Sequence, residues 1–441
     1  KTLPFTVNRP VVADGKIFFA ANRKSYAYDL KNTTTVEKKD RKGKTIKIEM
    51  PTLLWSVTKQ PASRVHLKAG NRVYAHDKNK VFAIDIPAKG AEAKVSFTAT
   101  VDGTPVSMLA SDGKLFVVTK EGSIHCFAAG KTPSVKHELA ESDLGKPDEA
   151  WTGRVKKMLS ASKADDGYCL ALGLGTGSLV EELLRQSKFH VIVIDPNAAK
   201  VDAFRRRLDA KGLYGSRVVA IVGNPATMPL PPYLANLVVS EDLAVAGAFD
   251  GVAKLGNVFH VLRPYGGVAC FETTGDQHAS IAKTLASRAL PKAVLARSGQ
   301  VTTLTREGAL PGSADWTHEF GDPANSLLSR DKLVKAPLGA LWFGGPSSNG
   351  NLFYDRHEWG PSMAVVEGRM LIQGPEKFTA VDVYTGRLLW QKKLPKGNSP
   401  GRRANWKPTG YHFVAVKDAI YLAYADKCLR LDPQDGKTLG E

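Results

Sequence analysis

Both ends of the chain are built from one recurring unit: an apolar strand, a tight turn, a second apolar strand and, after a gap, a third that often ends in Asp. The unit reads PVVADGKIFFA then SYAYDL, with Gly15 at the turn and Asp29 at the end. It returns as VHLKAGNRVYAHD then KVFAIDI around Gly70 and Asp85, and as MLASDGKLFVVTK then GSIHCFA around Gly113. Two further copies are MAVVEGRMLIQGP then FTAVDVYTGRLLW around Gly368 and Asp382, and FVAVKDAIYLAYA then CLRLDPQDGKTL, where Asp418 takes the turn. Runs rich in Val, Ile, Phe and Tyr, joined by Asp-Gly turns, predict antiparallel meanders. The turn residues stand 55 and 43 positions apart in the first three units and 50 apart in the last two. That is close to the period of about 40–50 residues expected of a four-stranded propeller blade. A fourth strand shows as TLLWSV, ending at Val57, and as RLLWQKK around Trp390.

The phrase DVYTGRLLW resembles the repeat of quinoprotein-like (PQQ-repeat) β-propellers, Asp-x-x-Thr-Gly-x-x-x-Trp, at Asp382, Thr385, Gly386 and Trp390. Asp432, Gly436 and Thr438 match it in part. The resemblance implies an all-β propeller with about five recognisable blades. Quinone-dependent enzymes of that kind use about eight blades and a calcium-carboxylate site. No matching cluster stands in this chain, which speaks against a bound PQQ.

After Phe127 the pattern changes. Helical periodicity in WTGRVKKMLSAS precedes CLALGLGTGSLVEELLRQ, which reads as strand, glycine loop and helix. Strand VIVID, helix AAKVDAFRRRLDA and strands RVVAIVG and NLVVS follow, then helix AKLGNVFHVL and strand GGVACFE. The helix ASIAKTLASRAL leads to AVLARSG and QVTTLTR, which suit a closing antiparallel hairpin. Seven strands with this β-α alternation predict a mainly parallel sheet covered on both faces. A glycine turn between strand and helix lets the backbone approach a ligand, and the helix N-terminus favours polar or anionic groups. Asp195, eighteen residues after Gly177, ends the next strand, where a carboxylate can accept from both hydroxyls of a ribose.

LALGLGTG, GNPATMPLPPYLANLVVSED and LRPYGGVACFE come in the order found in class I S-adenosylmethionine-dependent methyltransferases, which residues 150–308 resemble. The resemblance implies a Rossmann-like α/β domain that binds S-adenosylmethionine through Gly173, Leu174, Gly175, Thr176 and Gly177. It places Asp195 and Pro196 at the ribose, Asn224 and Pro225 at the adenine, and Ser240 at the end of the fourth strand. Glu241 and Asp242 follow that strand, where family substrates approach, and are the candidate catalytic bases. Methyl transfer is an in-line displacement, so positioning the nucleophile is the main task, and a base is needed only if the nucleophile must lose a proton. Solvated loop acids are the alternative reading of this pair.

The chain departs from the family in three places. Ala171 stands where an acid normally supports the loop and the methionine amine, Asn224 replaces the adenine acid, and Asn236 stands where an acid precedes the fourth strand. Each lost charge-assisted contact would cost about 1.5–3 kcal/mol of binding. Two functions stay open: a methyltransferase whose propeller recruits or orients its substrate, and a binding scaffold whose methyltransferase domain has lost turnover.

The expected layout is multi-domain. Blades 1–3 occupy residues 1–140, the methyltransferase-like domain 141–308, a linker 309–340, and the end of blade 3 with blades 4 and 5 residues 341–441. ALWFG, residues 340–344, is expected to be the outer strand of the third blade, which makes the βα domain an insertion. His318, Glu319, His357, Glu358, Trp316 and Trp359 form a candidate metal or ligand patch, with packing as the alternative; no metal site is assigned.

Composition narrows the partners. The 441 residues carry 61 basic and 43 acidic groups, a net charge of +18. The excess is graded, +9, +6 and +3 over residues 1–150, 151–300 and 301–441, and densest in KKDRKGKTIK, read as a hairpin loop. Nucleic acid is therefore the weaker partner class, and Arg205, Arg206 and Arg207 are read as an exposed helix face. A protein partner, or further blades of a longer parent chain, is the stronger one. Cys126, Cys169, Cys270 and Cys428 stand singly, with no CxxCH for haem or paired CxxC for zinc, and read as small core residues. Apolar runs of about eight residues fall short of the roughly 20 needed to cross a bilayer as a helix. The propeller resemblance favours export, whereas use of S-adenosylmethionine favours the cytoplasm.

Overall fold

The computed structural model describes residues 9–39, 43–88, 91–130, 133, 135–137, 143–247, 252–287, 290–344, 362–374, 377–394, 413–424 and 427–441. The chain divides into two compact units, Lys1–Lys136 and His137–Glu441.

The first unit holds three antiparallel meander sheets. One is β1 (Val11–Ala13), β2 (Lys16–Ala21), β3 (Lys24–Lys39) and β4 (Thr45–Val57). The next is β5 (Arg64–Ala69), β6 (Arg72–Asp77), β7 (Lys80–Asp85) and β8 (Lys94–Thr100), and the third is β9 (Pro105–Ser111), β10 (Lys114–Thr119) and β11 (Ile124–Ala128). Asp14 and Gly15 join β1 to β2 with φ of +53° and +69°, and Asp112 and Gly113 join β9 to β10 with +50° and +70°. Two central residues at positive φ match the twist of the flanking strands, which is why Asp-Gly recurs there. Phe18, Trp55, Val65, Val73 and Phe82 form a core shared by the first two sheets, and Val81, Met108, Leu115 and Val117 one shared by the second and third. Beyond Asp29, β3 and β4 run on as a two-stranded arm, Thr33 to Lys39 against Pro51 to Thr45. The basic run lies at the end of this arm, with residues 40–42 outside the described set.

The second unit begins with α1 (Glu149–Ser162), N-capped by Asp148, whose carboxylate accepts from the Ala150 amide. A βα succession follows: β12 (Tyr168–Leu172), α2 (Ser178–Gln186), β13 (His190–Asp195), α3 (Ala198–Asp209), β14 (Val218–Val222) and β15 (Leu237–Val239). It continues with α4 (Leu243–Ala246), α5 (Val252–Val261), β16 (Gly267–Glu272), α6 (Gly275–Ser287), β17 (Ala293–Ser298) and β18 (Val301–Arg306). The seven strands form one sheet of order β14-β13-β12-β15-β16-β18-β17. β12 to β16 run parallel, and β18 pairs antiparallel to both β16 and β17.

Strands buried on both faces read as nearly continuous apolar runs. In β12, Cys169 and Ala171 join the cluster of α1, α2 and α3, while Leu170 and Leu172 join that of α5 and α6. Ala171 is 1% exposed, so the family's acid position is here part of an apolar core. Burial pushes both the Cys169 and Cys270 thiols up, Cys270 to about 12. Cys126 and Cys428 are exposed, against the expectation that all four pack inside.

Two more meander sheets complete the unit: β19 (Ser362–Val366), β20 (Arg369–Gln373), β21 (Lys377–Asp382) and β22 (Leu388–Lys393), then β23 (Phe413–Val416), β24 (Ala419–Tyr424), β25 (Lys427–Leu431) and β26 (Thr438–Gly440). Ala364, Leu371, Phe378, Trp390, Phe413, Ile420 and Leu422 form their shared core. Trp390 packs onto Gly436 and donates from its indole N–H to the Pro433 carbonyl at 3.0 Å. Trp342 does the same on the preceding turn, packing onto Gly386 and donating to the Val383 carbonyl at 2.9 Å.

Residues 340–344 form no strand, contrary to expectation, and among the described residues the β9–β11 sheet has three strands. Trp342 is instead engaged at the β21–β22 turn. The linker adds backbone pairing of its own: Trp316 bridges Val365 of β19, and the Thr317 carbonyl accepts from Ala415 of β23 at 3.0 Å.

The βα sheet is joined to β19–β22 by a buried patch. Arg263, of the LRPYGG phrase, ion-pairs with Asp382, of the DVYTG phrase. Around them Tyr233 meets Tyr384 edge-on at 5.5 Å, the Arg306 guanidinium lies 4.9 Å from the Tyr233 ring, and Arg387 pairs with Asp166 at 2.9 Å. Burial pushes the Tyr384 hydroxyl well up from its ordinary value, so it stays protonated.

Candidate functional site

The site lies at the C-terminal ends of β12, β13, β14 and β15, where open parallel sheets carry their ligand crevice. Gly173, Gly175 and Gly177 turn the chain from β12 into α2 with φ of +80°, +56° and +88°. Each glycine also lies under a neighbour. A Cβ on Gly173 would stand 2.6 Å from the Asp242 carbonyl oxygen, and one on Gly177 2.5 Å from the Arg207 guanidinium. On Gly175 it would stand 2.6 Å from Glu241 Cγ.

Asp195 is 1% exposed. Its two carboxylate oxygens accept from the amides of Leu174 and Asn197, both at 2.8 Å, so it ties the glycine loop to the start of α3. Asn224 is exposed, and its side-chain oxygen accepts from the Ala226 amide at 2.9 Å within its own turn; Pro225 beside it is buried and Pro196 exposed. Ser240 is 5% exposed and its hydroxyl has no hydrogen-bond partner. A buried polar atom without a partner is rare enough to call for a missing ligand, ion or water.

Glu241 is bound tightly into the loop. One carboxylate oxygen accepts from the Thr176 amide at 2.8 Å and from the Thr176 hydroxyl. The other accepts from the amides of Gly177 and Leu179, each at 3.1 Å. Gly177 is the N-cap of α2 and has no side chain to cap with, so the orphan amides of that helix are satisfied from another strand's end. Asp242 N-caps α4 through the Val245 amide at 3.1 Å. The structure therefore brings the glycine loop, Asp195, Ser240, Glu241 and Asp242 together, and leaves Asn224 in its own exposed turn.

Two of the three α3 arginines are not a free face. Arg205 donates to the Ala220 carbonyl of β14, and Arg207 to the Thr176 carbonyl and to Glu181; Arg206 pairs with Asp202 along the helix. A polar hollow of about 310 Å³ borders the loop at Thr176 and Ser178 and is also lined by Lys146, Arg185 and Lys211. Of its acids, Glu181 is matched by Arg207 and Lys211 and Glu182 by Arg185, while Asp148 caps α1. Burial pushes the Glu182 carboxyl up, but hydrogen bonds from Gln186, the Asp148 amide and Arg185 outweigh it and hold it below its usual value. Asp195, Asn224, Ser240 and Glu241 do not line this hollow.

In the linker, His318 Nδ1 lies 2.8 Å from the Thr317 hydroxyl, and Glu319 is half-buried. His357, Glu358 and Trp359 lie outside the described residues. Among the described residues no three His, Cys, Asp or Glu side chains are grouped as metal ligands would be. No described helix is long and apolar enough to cross a membrane.

Residues 169–266 match the model of the methyltransferase-domain family. This region spans β12 to the start of β16, so the βα segment is a methyltransferase-type domain. Among solved structures, a SAM-dependent methyltransferase from Aquifex aeolicus is similar at 14% identity over 34% of this chain and 87% of that chain, with a TM-score of 0.28. A 1,6-didemethyltoxoflavin-N1-methyltransferase of Burkholderia thailandensis, solved with 1,6-didemethyltoxoflavin and S-adenosylhomocysteine, is similar at 16% identity over 36% and 80%, with a TM-score of 0.26. A search of curated proteins finds no match.

The missed features of this methyltransferase domain are long-range. The remote cap by Glu241 left one local trace, a glycine at an N-cap with no side chain to serve the helix.

Proposed function

We propose that the methyltransferase domain binds S-adenosylmethionine across the ends of β12, β13 and β14, and methylates an acceptor presented beside a propeller formed by the meander sheets. One observation supports this most: three neighbouring strands end, in order, in the glycine loop, Asp195 and Asn224. The residues suit the group. Asp195 would hold the ribose hydroxyls and Asn224 the adenine amine, while the glycine loop and the partnerless Ser240 hydroxyl would hold the amino-acid end. When bound, the cofactor supplies a methyl group activated on a sulfonium. The chain's part is to orient it, and to exclude water with the buried ends of β12 and β15.

A second reading, a binding scaffold without turnover, is favoured by the engagement of both candidate bases. Glu241 is spent on the α2 amides and Asp242 on the α4 N-cap. In either reading the meander sheets serve as a platform for a protein partner, with nucleic acid as the weaker choice. Incubation with methyl-labelled S-adenosylmethionine and separated protein, nucleic-acid and small-molecule fractions tests the enzyme. Label in one fraction is the expected result; cofactor binding with no label in any fraction would replace it with the scaffold.

A further inference from the structure

We propose that Glu241 competes with the amino-acid end of the cofactor and keeps the cleft closed until its side chain leaves the glycine loop. This rests on the cofactor reading above and concerns how that same site is regulated.

The seat is a carboxylate site by construction. The amides of Thr176, Gly177 and Leu179 and the Thr176 hydroxyl converge on one carboxylate, at the positive end of a nine-residue helix. Glu241 takes all of it. Each of its oxygens has two donors, and a carboxylate offers about four lone-pair positions, so nothing is left to receive a ligand's ammonium group. Its stem also covers the surface that Gly175 leaves open, with Cγ, Cδ and Oε1 all 2.6–2.8 Å from where a Cβ would be. A ligand resting on Gly175 and Glu241 in its present place exclude one another. One residue back, the Ser240 hydroxyl is 5% exposed and has no hydrogen-bond partner. Glu241 belongs to neither β15 nor α4 but stands in the short connection between them.

If the competent state is only partly populated, the apparent dissociation constant is the intrinsic one divided by that population. Removing the competitor should then tighten binding of any ligand that carries a carboxylate there. The test titrates the full chain and its Glu241→Gln variant with S-adenosylhomocysteine and with 5′-methylthioadenosine, which lacks the amino-acid end, after confirming that both proteins melt cooperatively. Glu241→Asp, which keeps the charge on a shorter arm, serves if the amide variant does not fold. The expected result is about tenfold tighter binding of S-adenosylhomocysteine by the variant, with methylthioadenosine unchanged. Equal or weaker binding of S-adenosylhomocysteine by the variant would overturn the proposal and leave Glu241 as a brace of the loop. An equal gain for both ligands would overturn competition for a carboxylate seat. No binding of either ligand to either protein would instead defeat the cofactor reading.

Discussion

Arg263 and Asp382 form an ion pair in which the side chains are 11% and 3% exposed, joining the methyltransferase domain to a meander sheet 119 residues further along the chain. Asp382 keeps its other oxygen for its own turn, accepting from the amides of Tyr384 and Thr385 at 2.9 and 3.1 Å. Arg263 also donates to the Pro264 carbonyl at 2.8 Å. Removing one member of a buried, hydrogen-bonded pair leaves a charge uncompensated, at about 3–5 kcal/mol. Arg263→Met should therefore destabilise the second unit by about 3 kcal/mol. A cycle with Asp382→Asn should show coupling above about 0.5 kcal/mol in denaturant unfolding followed by tryptophan fluorescence. Additive effects would mean that the two residues do not act as a pair.

Gly386 and Gly436 should tolerate no side chain. A Cβ would stand 2.3 Å from Trp342 and 2.6 Å from Trp390, at φ of +69° and +71°. Gly113 has a similar φ of +70° but open space around it. Gly113→Ala should cost only the left-handed strain of about 1–2 kcal/mol. Gly386→Ala and Gly436→Ala should cost clearly more, because the indoles must shift. Equal costs in denaturant unfolding would show that tryptophan packing contributes nothing at these turns.

Much of this was legible in the residues. Period-2 runs broken by Asp-Gly gave the meanders, and the βα alternation gave the seven-stranded sheet with its antiparallel hairpin, because both are written in local periodicity. The tryptophan of ALWFG is visible in the sequence, but its segment reads as a strand, whereas an indole can dock on a turn from an irregular segment. Glu241 reaching the α2 amides and Arg263 reaching Asp382 are tertiary pairings across 62 and 119 residues, and no periodicity encodes them.

The His66–His76 pair makes the first unit sensitive to acid. His66 Nε2 and His76 Nδ1 are 2.7 Å apart, so one ring must donate and the other must stay unprotonated. Burial, then His76 and Arg64, push His66 down to about 3, and burial with Arg64 lowers His76, while Asp77 works the other way. A depressed folded-state value means that the unfolded chain binds more protons below its ordinary value, so stability is full near neutrality and falls as pH drops. Thermal denaturation should show wild type more stable than His66→Asn at about pH 7, with the gap narrowing as pH falls from about 6.5 towards about 3. Parallel curves would remove the pair as a source of acid sensitivity.

Thiol chemistry separates core from surface. Native protein should show two thiols that react rapidly with a disulfide reagent, Cys126 and Cys428, while Cys169 and Cys270 react only on unfolding. Four fast thiols would contradict the packed face of β12 and β16.

The central claim, that this domain binds an S-adenosyl cofactor at the ends of β12 to β14, is tested most directly by calorimetric titration of the full chain with S-adenosylhomocysteine. The account predicts saturable heat at about one ligand per chain, and its loss in the Asp195→Ala variant that still melts cooperatively. The absence of heat from wild type and from Glu241→Gln, up to about millimolar ligand, would contradict it.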